Sequence, residues 1–445
     1  MSAFNTPSNT TDKNIQLQAA TASCLTLKRT RWLFFALCCY LLSQSFTIPI
    51  FAIGPSWALW PNLSDLATGL LVLTFLLNFR STSAPSGANK SIFYILVLVL
   101  FGCILSFTSY LTWVIDENAP GINIGIYQIY RLVEFVCIFW VTAWIPLPLK
   151  RINILSRIVN GVLIFVCTGI ILTYFLPGLL GMLTSHLPQS PAVAGPWSSY
   201  GITARLSGRG WGTIGYNHAY VAAQVLMLLS LSIHLGLNKA LFHNILLVMS
   251  ICACFLSESR AGMAAMLIFA IVYLLQKPIY AVIPAAVAIF AGIIVPLVAP
   301  QSINFTSVEG SIIERQKTLL EAKSPENLSG RAEIWADRIS FLDEERIRWL
   351  LGAGFGASAD SGSSAHMLVL HLILETGLLG LLIFIFLFSK ILYYLYQREL
   401  GVKPIFWATV AFLVSSLTQE TFYPTSAMGH FIGFYLCSLA IALRS

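Results

Sequence analysis

Long apolar stretches follow one another along this chain, separated by polar gaps, and Lys and Arg crowd into every second gap. Inside a bilayer every backbone polar group must be satisfied within the protein, so only helices or a closed barrel can cross it. A crossing helix needs about 20 predominantly apolar residues and a barrel strand about half that. These stretches are of the helical kind. The basic residues fall at Lys28, Arg29 and Arg31, at Arg80 and Lys90, and at Lys150, Arg151 and Arg157. They recur at Lys239, Lys277, Lys390, Arg398 and Lys403, and end at Arg444. Gaps between those places hold almost all the acidic residues. The positive-inside bias assigns the basic set to the cytoplasm and the other gaps to the outer side. A chemical site is therefore sought on the outer face.

The chain is 57% hydrophobic and 10% charged, whereas soluble domains are about a quarter charged. The expected fold is all-α, a polytopic membrane helix bundle of about twelve spans with both ends cytoplasmic. The apolar runs are 32–53, 63–79, 91–111, 122–145, 158–176, 215–236, 241–257, 261–275, 279–299, 366–396, 404–420 and 427–443. They divide the chain into a polar, disordered N-terminus (1–31), spans one to nine (32–299), an outer loop (300–365) and spans ten to twelve (366–445). The first run lacks an A-x-A cleavage pattern and is expected to remain as a span. A net charge of +7 reads as cytoplasmic anchoring, with no nucleic-acid partner implied. The nine Cys lie in or beside apolar runs and form neither a disulfide framework nor a zinc pattern, so Cys252 and Cys254 read as packing. No metal and no cofactor is expected.

Two outer segments are long. One, from about Pro177 to Gly215, carries Arg205 and Arg209 in a glycine-rich stretch that is not a Walker loop and leads to Asn217 and His218 at the lip of the sixth span. The other opens an amphipathic stretch with a capping-box pattern at Ser311–Glu314. A second helical stretch follows from Arg331 to about Leu351, with Ile334, Trp335, Ile339 and Leu342 on its apolar side. Asp343, Glu344 and Glu345, beside Arg346 and Arg348, read as a solvated face.

Arg260 sits in the tight turn Ser257–Gly262 at the outer lip of the eighth span. It is either an interfacial Arg reaching headgroups or a phosphate ligand, for which a planar guanidinium fork is suited. His366 opens the tenth span, and an outer-lip imidazole is a reasonable general base. His371 and Glu375 are four apart on one helix face and are expected to pair. On an ideal helix His366 and Glu375 face opposite ways, so no direct dyad is expected. Arg131 and Glu134, inside the fourth span, must face the bundle, as a structural clamp below the site in preference to a direct ligand contact.

As an ordered set these motifs resemble the O-antigen ligase and polysaccharide polymerase superfamily, over about residues 200–385. The likeness rests on Ser259-Arg260-Ala261-Gly262, Ser329-Gly330-Arg331 with Trp335, Leu351-Gly-Ala-Gly-Phe-Gly356, and His366 followed by Glu375-Thr-Gly-Leu-Leu-Gly380. The resemblance implies a glycosyltransferase of the bacterial inner membrane with its site facing the periplasm. Its donor would be an undecaprenyl-diphosphate-linked glycan and its acceptor a lipid A-core sugar or a growing polysaccharide. It further implies that Arg260 and an Arg of the 205–209 segment hold the diphosphate, that His366 binds or deprotonates the acceptor hydroxyl, and that Arg331 braces the loop, with Glu375 and Asn217 in support. The alternatives are a polysaccharide or lipid transporter, or flippase, and a non-catalytic scaffold of an envelope assembly.

Overall fold

Helical propensity and lipid exposure are both visible along the helices Gly87–Trp113 and Leu368–Arg398 of the computed structural model, where Leu98, Phe101 and Leu105, and Leu378, Leu382 and Ile385, recur at helical spacing on the outside of the bundle. The structure describes residues 30–51, 60–79, 82, 84–114, 119–176, 178–185, 212–213, 218–236, 240–257, 259–276, 331–360, 365–424 and 430–444. Among the described residues there are helices and turns and no strand. The first group is α1 (Arg31–Ser43), α2 (Leu63–Asn78), α3 (Gly87–Trp113), α4 (Pro120–Trp144), α5 (Leu149–Phe175) and the short α6 (Gly178–Thr184). Then come α7 (His218–His234), α8 (Ala240–Leu256) and α9 (Arg260–Leu275), followed by α10 (Arg331–Asp343) and α11 (Arg346–Leu351) in the outer segment. The last are α12 (Leu368–Arg398), α13 (Pro404–Ser415) and α14 (Phe431–Ala442).

Of these, α3, α4, α5 and α12 are long and apolar enough to cross a membrane, while α1, α2, α7, α8, α9, α13 and α14 are apolar but shorter. Each expected run coincides with an apolar helix except 279–299, which lies outside the described residues, so the total of twelve stays an expectation. The capping-box stretch at 311–314 also lies outside them.

Several runs stop being helical before their apolar sequence ends, and always at the same end of the bundle. The first run leaves the helix at Ser43, where Ser45, Thr47 and Pro49 follow; proline disfavours helix in the residue before it. The eleventh ends at Ser415, where Ser415, Ser416 and Thr418 turn their hydroxyls back onto backbone carbonyls, the side-chain competition that terminates helices. Backbone freed in this way finds partners elsewhere: Thr47 N donates to Thr213 O at 3.0 Å, and Leu368 N to Ser416 O at 3.0 Å.

Cross-links sort the helix ends into two groups. At one end Ser86 Oγ donates to Leu443 O at 2.9 Å, Arg151 Nη1 to Thr30 Oγ1 at 3.0 Å, and His234 Nδ1 lies 2.9 Å from Glu399 Oε1. At the other, Tyr110 Oη and Gly121 N both donate to Asp360, at 2.5 and 2.8 Å, tying the outer segment to the α3–α4 junction. These are the groupings that the alternation of basic gaps predicts. At the centre, α7 from Tyr220 to Ile233 and all of α14 are buried, as helices apolar on every side should be.

Helices α10 and α11 dock on the first turns of α12 through a small apolar cluster of Leu342, Ala365, Leu370, Ile373 and Leu374, with Trp335, Phe341 and Trp349 packed against it. In α10 Arg338 and Leu342 are buried and Ile334 and Trp335 half-buried, whereas Ile339 is exposed. Ile339 lies about 100° round the helix from Arg338, which corrects its expected place on the apolar side.

Candidate active site

Two segments that are distant in sequence meet at His366. Trp335 Nε1 donates to Ala365 O at 2.8 Å, and the His366 backbone N–H donates to Glu420 Oε1 at 2.6 Å. Held from both sides, His366 adopts a φ of 51°, a left-handed conformation that costs a non-glycine residue roughly 1–2 kcal/mol. The expected placement of His366 on the first turn of a helix is thereby corrected: α12 begins at Leu368. Arg331 donates from Nη1 to Thr418 O at 2.7 Å. The turn after α13 thus anchors both residues.

Arg260 is the first residue of α9 and half-buried, with Ser259 Oγ capping the helix by accepting from Gly262 N at 3.1 Å. A side chain on Gly262 would collide with Ala222 of α7, so the small residue lets α9 press against the central helix. Arg331 is an electrostatic neighbour of both Arg260 and His366. Arg260, Arg331 and His366 therefore share one region at one end of the bundle. Arg205, Arg209 and Asn217 lie outside the described residues.

Beneath His366 lies a buried polar core. Ser358 Oγ and Tyr423 Oη both donate to the Glu375 carboxylate, and Ser358 N donates at 3.2 Å. His371 Nε2 lies 3.6 Å from Glu375 Oε1, and its Nδ1 lies 3.2 Å from Glu420 Oε1. The expected His371–Glu375 pair is present, and it extends to a second carboxylate that reading the sequence missed. Glu420 closes the apolar run 404–420, and an ionisable residue in such a run is itself a signal. The link from Glu375 to His366 is indirect, through His371 and Glu420. Partial desolvation lowers the His366 imidazole below its ordinary value; Glu420 opposes this, while Arg331 and His371 reinforce it.

The glycine-rich motifs interlock below this core. Gly377 breaks α12 with φ 68°, and the freed carbonyls of Leu374 and Glu375 accept from Ala353 N at 2.7 Å and Gly354 N at 3.1 Å. Gly352 has φ 78°, and a Cβ there would lie 2.6 Å from Thr376 N. Backbone approaches backbone so closely that only glycine fits on either side.

Residues 245–385 match the family model described as O-antigen ligase. The match supports membership in the O-antigen ligase superfamily. It supports an O-antigen ligase- or polymerase-type membrane enzyme, for which lipid-linked glycan substrates are implied. No curated protein matches the chain. The O-antigen ligase segment includes Arg260, Arg331, His366 and Glu375, whereas Glu420 and the turn that anchors His366 come from beyond it.

A second buried cluster lies outside the O-antigen ligase segment. The expected Arg131–Glu134 pair is there at 2.7 Å, but Arg131 also pairs with Asp65 of α2, and its Nη1 lies 2.8 Å from His430 Nε2. The ligand-type atoms of Asp65, Glu134 and His430 all fall within 4.8 Å of one another. The Arg131 Nη1 contacts all three groups and so fills the place a cation would take. The clamp joins α2, α4 and the residue that opens α14. On the expected solvated face, Glu344 and Glu345 are exposed, and Arg348 pairs with them at 2.7 and 2.9 Å.

Proposed function

We propose that this chain transfers a glycan from an undecaprenyl-diphosphate-linked donor to a sugar hydroxyl, on the periplasmic side of the bacterial inner membrane. The observation that carries the reading is the grouping of Arg260, Arg331 and His366 at one end of the bundle, within a segment of O-antigen ligase type. Arg260 grips the diphosphate. Its guanidinium meets phosphate oxygens two at a time, and its place at the start of α9 adds the positive end of a helix dipole. Arg331 supplies a second positive charge, and Arg205 or Arg209 contributes from the preceding outer segment. His366, neutral at pH 7, accepts the proton of the acceptor hydroxyl. The acceptor oxygen forms its bond to the anomeric carbon as the bond from that carbon to the diphosphate oxygen breaks, and the diphosphate leaves with the electron pair.

A lipid diphosphate is already a good leaving group, so charge neutralisation and positioning are the main demands on the protein. No metal is needed to make it leave. Displacement in one step inverts the anomeric centre, and Glu420 and His371 hold His366 in place for it. The test is complementation of a null strain with Arg260→Ala and His366→Ala, followed by analysis of the glycan formed. Loss of transfer by folded variants and an inverted linkage are the expected results; full activity of both variants, or retention, refutes the mechanism. The glycan profile of the null strain also separates the activities: single repeat units still attached indicate a polymerase, and no attachment indicates a ligase acting on lipid A-core.

A further inference from the structure

The end of the bundle opposite this site holds a cavity of about 800 Å³ between the ends of α5, α7, α12 and α14. Its walls are largely apolar, formed by residues such as Leu149, Ile152, Val402 and Ile441, and its charged lining is Arg398 and Arg444. No carboxylate lines it among the described residues. The nearby Glu399 is already committed: it accepts from Ile405 N at 3.0 Å and Phe406 N at 2.7 Å, and pairs with His234.

Arg444 is the informative residue. Its Nη2 donates to Ala143 O near the end of α4, and this contact accounts for one of its five donors. Among the described residues the buried Arg444 Nε has no hydrogen-bond partner. A second guanidinium, Arg151, lies close enough that burial and the like charge together pull Arg444 down to about 10. It still carries its proton at pH 7. A desolvated cation beside another cation is unfavourable unless an anion compensates it.

We propose that this cavity binds the phosphate of an anionic phospholipid headgroup, with Arg444 and Arg398 as its ligands and an acyl chain along the Leu149–Ile152–Ile441 wall. Two guanidinium forks suit the tetrahedral oxygens, and the volume lies in the range of small-molecule sites, roughly 300–1,000 Å³. This end also carries the basic gaps, and basic pockets between helices on the cytoplasmic side attract anionic headgroups. The proposal is independent of the glycosyltransferase reading.

The test uses the purified full-length protein, delipidated in a neutral detergent, with thermal unfolding followed as phosphatidylglycerol, phosphatidylcholine or inorganic phosphate is added. Phosphatidylglycerol is expected to raise the Tm by a few degrees, as any ligand selective for the folded state does, and phosphatidylcholine to leave it unchanged. Arg398→Gln, at an exposed position, and Arg444→Gln are expected to abolish most of the rise, and Arg398→Lys to retain part of it. Should Arg444→Gln fail to fold, Arg398→Gln alone decides. An undiminished rise in Arg398→Gln, no rise at all, or an equal rise with inorganic phosphate would each overturn the assignment to a phospholipid.

Discussion

Arg260 and His366 make separate demands that separate measurements can read. Replacing Arg260 with Ala removes one preorganised positive group, and transfer in membrane vesicles is expected to fall by about 10²–10³-fold. Lys should restore only part of it, since it keeps the charge and loses the fork. As the proposed base, His366 would work in its neutral form, so kcat/KM is expected to fall as pH drops through its pKa, which the structure places below the ordinary value of about 6.5. Glu420 is the neighbour that raises this pKa. Glu420→Gln should therefore move the acid limb to lower pH while reducing the plateau rate. A limb that moves upward, or does not move, would show that Glu420 does not govern His366. The candidate Arg and His could be picked from the sequence because each is a polar residue at the lip of an apolar run. Glu420 is marked by its charge in an apolar run, but its link to His366 was not legible, because it acts across 54 residues of chain on a backbone N–H.

The elements carry the glycine lock and the buried clamp. At Gly377 a Cβ would press on the Leu350 carbonyl and come within 2.6 Å of Gly352 N, in a backbone conformation that already disfavours side chains. Gly377→Ala should cost on the order of 1–3 kcal/mol, read as a lower Tm. Gly69→Ala in α2, where nothing lies within 4 Å, should be neutral or stabilising by up to about 1 kcal/mol. Equal effects at both positions would argue against the lock. Arg131→Leu leaves the buried Glu134 and the partly buried Asp65 carboxylates facing each other and should destabilise by roughly 3–5 kcal/mol, less so when Asp65→Asn is added. Only the Arg131–Glu134 half of that clamp follows from helical spacing; Asp65 and His430 arrive from other helices.

For the whole molecule, the alternation of basic gaps makes a topological prediction that Cys substitutions can check. A Cys replacing Glu344 should react with a membrane-impermeant thiol reagent from outside, and one replacing Lys150 only after the inner membrane is opened. Labelling of both from the same side would invert the assignment of the site. The sequence by itself determined the class of fold, the approximate places of the helices and the end at which chemistry was to be sought, because hydropathy and charge bias act locally and are read against the bilayer. It did not determine where helices stop: α1, α12 and α13 each give up helical turns inside apolar sequence, and their turns bond to residues far away in the chain. Tertiary structure alone decided that the turn after α13 holds His366 and Arg331, that Glu375 reaches His366 through His371 and Glu420, and that a guanidinium fills the Asp65–Glu134–His430 cluster. Those contacts depend on side-chain and backbone hydrogen bonds made across the bundle, where low polarity makes an unpaired group expensive and so selects one arrangement.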